Sequence, residues 1–240
     1  MKLRVLLVGS LLLGVIGAGA AVLTVRAMRA QPAWYVDRVA AVEQSPPAPE
    51  EEPSGGLLSM LGGLLGIDTR HASSLLEQLQ ELATTGRVEL DEARLAAVLE
   101  TSMSGTPDGR AILAALTHPM ARIDGDTIEF GGATRLDAVD PETMSSAAAA
   151  NVRQLRAWLP GLRDRQLYIG IRAVPRADGG DLKLSEHASL VIGRVAIPGW
   201  LIPAGEERAR LDIDLRAVEL TRAEVVDSVL VLEAGPGGER

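Results

Sequence analysis

Three histidines, His71, His118 and His187, are the residues of this chain best suited to bind a metal or move a proton near neutral pH. None has a second His, a Cys or a carboxylate at ligand spacing, and no His-Glu-x-x-His occurs, so each reads as a solvated or helix-end imidazole. The densest carboxylates are Asp124-Gly125-Asp126 and Asp212-Ile213-Asp214. A tight turn calls for residues of the first kind. Period-two spacing places Asp212 and Asp214 together on the outer face of a strand. A calcium ion would need more oxygen ligands than either motif supplies. No Gly-x-Ser-x-Gly elbow is present, and the glycines of Gly14 to Ala20 lie inside an apolar run and follow no strand, so they form no dinucleotide fingerprint. The chain has no cysteine, which removes disulfides, thiol nucleophiles and thiolate-bound zinc together. No catalytic residue, metal site or cofactor is expected, and the chain is expected not to be an enzyme.

Composition narrows the partners. Aromatics make up 2% of 240 residues and the net charge is −8. Stacking platforms are scarce and phosphate backbones are repelled, so nucleic acid is not expected. With 47% hydrophobic residues, the core must be built from Leu, Val, Ile and Ala.

The N-terminus opens with Lys2 and Arg4, then runs uncharged from Val5 to Val25. At 1.5 Å per residue that run reaches about 30 Å, one hydrocarbon thickness. Arg26 and Arg29 close it, and Trp34 and Tyr35 follow at headgroup depth. A signal anchor is expected, with a cleaved secretory signal at Ala18-Gly19-Ala20 as its rival. Both place the rest of the chain outside the cytoplasm, and the anchor makes the protein a single-pass one of the cell membrane. Val42 to Gly56, rich in Pro and Glu, reads as a disordered tether. Gly56 to Asp68 is apolar and glycine-rich, either packing on the domain or touching the membrane surface.

Beyond Asp68 the chain alternates period. Helices are expected from Asp68 to Gly86, from Asp91 to Gly105, and briefly from Thr106 to His118, with a strand at Arg87 to Leu90. A hairpin surrounds Asp124-Gly125-Asp126, and a helix runs from about Pro141 to Leu159. Leu167, Ile169, Ile171 and Ala173 alternate with Tyr168, Gly170 and Arg172 along one strand, and a turn follows at Arg176 to Gly180. A long strand region is expected over Asp181 to Pro198, another strand over Arg208 to Leu220, and a final one over Val225 to Ala234.

The segment Ala188 to Pro203 carries Arg194 as its only ionisable residue and is broken by Gly193, Pro198 and Gly199. It suits a buried strand or the wall of a hydrophobic groove. In the second case Leu190, Ile192, Val195, Ile197, Trp200 and Tyr168 are the candidate ligand-binding residues. Gly193 suggests a bulge or a close backbone approach.

The stretch from Leu159 to Ile202, with Gly179-Gly180 at a hairpin and Ile192-Gly193 and Ile197-Pro198 at a turn, resembles the YpmS-like family of single-span bacterial envelope proteins. Gly86 to Leu99 is similar to that family's strand followed by a helix. The likeness runs loosely from Arg87 to Leu232. It implies kinship with tubular and phospholipid-binding envelope proteins, in which a curved sheet wraps a long helix and leaves an apolar groove.

The fold class expected is α+β: an N-terminal transmembrane helix, then one domain with a curved, largely antiparallel sheet packed on long amphipathic helices. The organisation expected is 1–30 cytoplasmic stub and transmembrane anchor, 31–67 tether and apolar Gly-rich segment, 68–240 extracytoplasmic domain. The function expected is binding of a hydrophobic ligand, a lipid above all, between sheet and helix. The alternative is a structural or adaptor envelope protein that binds another envelope protein. The partners expected are accordingly the membrane and a lipid or an envelope protein.

Overall fold

A computed structural model of the chain describes residues 23–45, 78, 80–184, 188–199, 213–214 and 219–235. The fold is α+β with antiparallel sheets. The transmembrane element of the expected fold class does not stand: among the described residues no helix is long and apolar enough to cross a membrane. Residues 5–22 of the expected span lie outside the described residues. Where the run enters them it is helical at residues 23–29, and Met28 packs beside Leu155 and Leu159 on a buried cluster of Leu136, Leu162, Leu167 and Ile192. The residues just after the run are thus part of the folded body, while Leu23 and Val25 at its end are exposed. Most of the expected tether, the Gly56 to Asp68 segment, the start of the helix after Asp68, His71, His187, Trp200 and Asp212 also lie outside the described residues.

The expected single curved sheet on long helices is likewise corrected. The described helices are short: α1 (Ala33–Gln44), α2 (Glu92–Ser104), α3 (Pro107–Ala115) and α4 (Ser146–Trp158). Eleven described strands form three sheets. The largest contains β2 (Thr117–Asp124), β3 (Thr127–Arg135), β4 (Gln166–Ala173), β7 (Ser189–Ile192) and β8 (Val195–Pro198), in the order β2-β3-β4-β7-β8. The second is β1 (Arg87–Leu90), β11 (Val229–Ala234) and β10 (Leu220–Val226); the third is β5 (Arg176–Asp178), β6 (Asp181–Lys183) and β9 (Ile213–Asp214).

Local chemistry sets the helix boundaries. The Asp91 carboxylate accepts the Arg94 amide at 2.8 Å and starts α2. Thr106 caps α3, with Pro107 in its first turn. α4 begins later than its periodicity predicts, because Pro141–Thr143 forms a separate turn. Its cap, Ser145, is held by the Asp108 carboxylate, which accepts the Ser145 amide at 2.6 Å and its hydroxyl at 2.7 Å.

Strand alternation gives the five-stranded sheet two faces. One carries Ala121, Ile123, Ile128, Phe130 and Ala173, packed on Leu95, Val98 and Leu99 of α2, and also Leu167, Ile169, Leu190 and Ile192, near α4. The other carries Glu129, Gly131, Ala133, Tyr168, Gly170, Arg172 and Val191. Two expected strands prove to be hairpins. The final one bends at Asp227-Ser228, both at positive φ, between β10 and β11. The long region over Asp181 to Pro198 divides into β6, β7 and β8, with Gly193-Arg194 as the two-residue turn between the last two.

That turn docks on the N-terminal segment. Gly193 donates its amide to the Tyr168 carbonyl at 2.8 Å, and Arg194 donates to the Ala27 carbonyl at 3.0 Å. Gly193 has φ +59°, and a Cβ there would lie 2.2 Å from the Met28 carbonyl oxygen. Left-handed strain and backbone collision add, so Gly193→Ala is expected to lower the unfolding free energy by roughly 2–4 kcal/mol in urea denaturation. Gly161→Ala, whose Cβ meets nothing within 4 Å, is the control and should stay within about 0.5 kcal/mol.

Candidate functional site

The aromatic side chains converge. The chain has three Trp, two Tyr and one Phe. Trp34, Tyr35 and Tyr168 meet on the polar face of the five-stranded sheet, with ring centroids 5.8 Å (Trp34–Tyr35), 5.7 Å (Trp34–Tyr168) and 4.9 Å (Tyr35–Tyr168) apart. Trp34 and Tyr35, expected at headgroup depth, stand instead on the helix α1. With Val39 they pack on Ala133, Val191 and Met120, so the N-terminal segment lies as a strap across the sheet.

Tyr168 occupies the centre of this face and is fully buried. Its register explains how. Glu129 pairs with Arg172, Gly131 with Gly170, and Ala133 with Tyr168 across β3 and β4. The two glycines make a bare rung along which the phenol ring lies. A Cβ on Gly131 would stand 2.9 Å from the Tyr168 hydroxyl, and one on Gly170 2.8 Å from it. Spanning that rung, roughly 7 Å of strand rise, Tyr168 donates its hydroxyl to Glu129 Oε1 at 2.9 Å. Arg172 donates to Glu129 Oε2 through Nε at 2.8 Å and through its terminal nitrogen at 2.6 Å. Glu129 is 3% exposed, and two donors on one oxygen with a third on the other are what a buried carboxylate requires.

Tyr35 repairs a fault in the sheet. The β2–β3 register shifts between Thr117 and Met120, where His118 adopts φ +49°. The Tyr35 hydroxyl sits in the gap, donating to the Thr117 carbonyl at 2.7 Å and accepting the Ala133 amide at 2.9 Å. Arg38, one turn on, donates to the Ala121 carbonyl at 2.7 Å and pairs with Glu92. The Glu92 carboxylate accepts the Ile123 amide at 2.8 Å. Ala121 and Ile123 turn these groups outward from β2, the edge strand. One ion pair therefore supplies both the donor and the acceptor that a sixth strand would have brought. The guanidinium groups of Arg38 and Arg122 lie 5.4 Å and 5.8 Å from the Trp34 ring centre, within cation–π range.

Burial pushes both tyrosines upward. Tyr168 is raised far above the usual phenol range by desolvation first, then by the charge and hydrogen bond of Glu129. Tyr35 is raised by desolvation, partly offset by the hydrogen bond from Ala133. The polar groups at the centre of this face are bonded to one another, so the arrangement holds a segment in place. Among the described residues no three of His, Cys, Asp and Glu gather as a metal would need. Asp124 pairs with Arg122 at 2.9 Å in the hairpin that Asp124-Gly125-Asp126 turns.

The expected groove residues divide between the faces. Tyr168 lies on the strap side with Val191. Leu190, Ile192 and Ile197 lie on the other with Met28, Leu155 and Leu159, and Val195, opposite Ile192, shares that face half-buried. Trp200 is outside the described residues. The sequence reading missed Tyr35, Arg38, Glu92 and Glu129. The signal for Glu129 was in its register, two positions before a glycine on a strand paired with Tyr168-x-Gly170-x-Arg172.

No family model matches the chain, and no curated protein or solved structure matches it significantly.

Tyr35→Phe leaves Thr117 and Ala133 without their bridge and is expected to cost about 2 kcal/mol in urea denaturation. Both tyrosines have folded pKa values above their unfolded value near 10. Their contribution to stability is therefore complete below about pH 10 and is lost as pH rises toward the folded values. Stability should fall above pH 10 by about 1.4 kcal/mol per pH unit for each tyrosine kept un-ionised. Tyrosinate absorbance in this two-tyrosine chain should appear only with unfolding, and Tyr168→Phe should flatten the slope.

Proposed function

We propose that the chain is a non-catalytic adaptor, an α+β module that fixes its N-terminal segment against a sheet and binds another protein through the helix face so ordered. The observation that supports this reading most is the seating of α1. Tyr35 is 1% exposed and joined into the β2–β3 ladder, while Val36 and Val42 on the same helix stand exposed. A helix held rigid by its buried side, with Val36 and Val42 exposed among Asp37, Glu43 and Gln44, suits a protein partner, because the ordering entropy is already spent.

Ligand capture between sheet and helix is less favoured by the same geometry. Both sheet faces are covered, one by the strap and the other by α2 and α4. An acyl chain of a dozen methylenes would gain at most about 10 kcal/mol by burial. To enter it must first displace Tyr35, Trp34 and Val39, or Met28, Leu155 and Leu159, each returning roughly 1.5–3 kcal/mol by its own burial. Exchanging one apolar occupant for another of similar size leaves little net drive.

Photocrosslinkers placed at Val36 and at Val42 in living cells should each yield the same discrete protein adduct, and one at exposed Val226 should not. The purified full chain should carry no stoichiometric lipid on extraction and mass spectrometry. A stoichiometric lipid released only on denaturation, with no shared adduct, would return the function to ligand binding.

A further inference from the structure

α1 carries no charge that favours its own dipole, and Glu43 opposes it. α2 and α3 hold an acid in the first turn, Glu92 and Asp108, and α4 holds Arg156 in its last. α1 has no acid in its first turn and no base in its last, where Glu43 stands instead. The helix offers its acids no cation of its own either. Three and four positions from Asp37 lie Ala33, Trp34, Ala40 and Ala41, and before Glu43 lie Val39 and Ala40. Asp37 and Glu43 are both exposed, and among the described residues no ion pair engages them. The bases that reach α1, Arg38 and Arg122 at the Trp34 ring, are already held, by Glu92 and by Asp124. Arg194 reaches the strap at Gln31, before α1 begins.

Helix geometry fixes how the two acids stand. At about 100° and 1.5 Å per residue, Asp37 and Glu43 are about 120° apart around α1 and about 9 Å apart along it. Val36, 46% exposed, falls within that arc, and the buried Tyr35 falls outside it. A local preference broken without compensation inside the chain is where a binding site is expected. An exposed valine between two unanswered carboxylates, on a helix already ordered, is complementary to an apolar seat bordered by cations. We infer that the protein partner of α1 is basic where it docks, receiving Val36 in an apolar seat and setting a Lys or Arg against each of Asp37 and Glu43. This inference rests on the adaptor reading and names the chemistry of its partner. A cation brought to Glu43 also faces the negative end of the α1 dipole, so one group of the partner answers both.

Photocrosslinking from Val36 in living cells reads the contact, and the thermal midpoint of the purified full chain reads the fold. Asp37→Asn with Glu43→Gln should lower the yield of the discrete adduct roughly three- to ten-fold, as two bordering ion pairs of ordinary strength would. Asp37→Lys with Glu43→Lys should abolish it, and Asp37→Glu with Glu43→Asp, which keeps both charges, should restore it. Glu43→Lys alone favours the dipole, so its thermal midpoint should rise by about 1–3 °C while the adduct weakens. A lower midpoint would make Glu43 a structural residue and overturn its assignment to the partner. An adduct that survives Asp37→Lys with Glu43→Lys overturns the basic partner and leaves the adaptor reading standing. No discrete adduct from the parent chain overturns both.

Discussion

The hydroxyl of Tyr35 stands between the Thr117 carbonyl and the Ala133 amide, and the shape of the molecule depends on that one position. A ladder with a shifted register leaves backbone groups unmatched, and an unmatched buried amide costs about 1–3 kcal/mol. The chain fills the fault with a side chain borrowed from its N-terminal segment. Once Tyr35 is fixed, the helix it belongs to must cross the sheet. Trp34 then meets Tyr168, and Arg38 falls at the open edge beside Glu92. The bare Gly131–Gly170 rung is the matching half of the arrangement, because without it Tyr168 could not lie flat beneath the strap.

Magnitudes show which of these contacts matter for stability and which for specificity. The Arg38–Glu92 pair is about one-third exposed, and such pairs contribute roughly 0–1 kcal/mol. Its role lies in occupying the outward groups of β2, which would otherwise recruit another strand. The opposite edge, β8, is guarded differently: it is four residues long and ends in Pro198, which has no amide to offer. Glu129 is another case. Its carboxylate is 3% exposed and takes its donors from Arg172 and Tyr168, so that trio is a condition for the face to exist at all.

Much of this was legible in the residues, and the rest was hidden for definite reasons. Asp91 and Gly105 bracket α2, Asp124-Gly125-Asp126 turns the β2–β3 hairpin, and the alternation of Leu167 to Ala173 already separates Tyr168 from the aliphatic face. Gly193 suggests a bulge or a close backbone approach, and it makes the second, against Met28, at the turn between β7 and β8. Hidden was the hairpin around it, because apolar residues on both sides of Gly193-Arg194 give the pattern of one continuous buried strand. Trp34 and Tyr35 suit a headgroup belt and a protein core equally well, and only a partner 98 residues away, Ala133, decides between them. The edge plug was equally invisible, since Arg38 and Glu92 are ordinary helix-surface types 54 positions apart.

The strap also sets an order of events during synthesis. Gln31 receives its bond from Arg194, 163 residues later, and Tyr35 waits for a strand 98 residues away. At roughly 5–20 residues per second, Arg194 leaves the ribosome on the order of 10–30 s after Gln31. Closing so long a loop adds only about 0.6 kcal/mol per doubling of length, so the delay is kinetic. Until β2 and β3 are made, the N-terminal segment has no sheet to lie on. When the hairpin of β2 and β3 appears, its faulty ladder and open edge have no cover until Tyr35 and Arg38 return to them. The strap is made before the strands it lies on, and its docking waits for theirs.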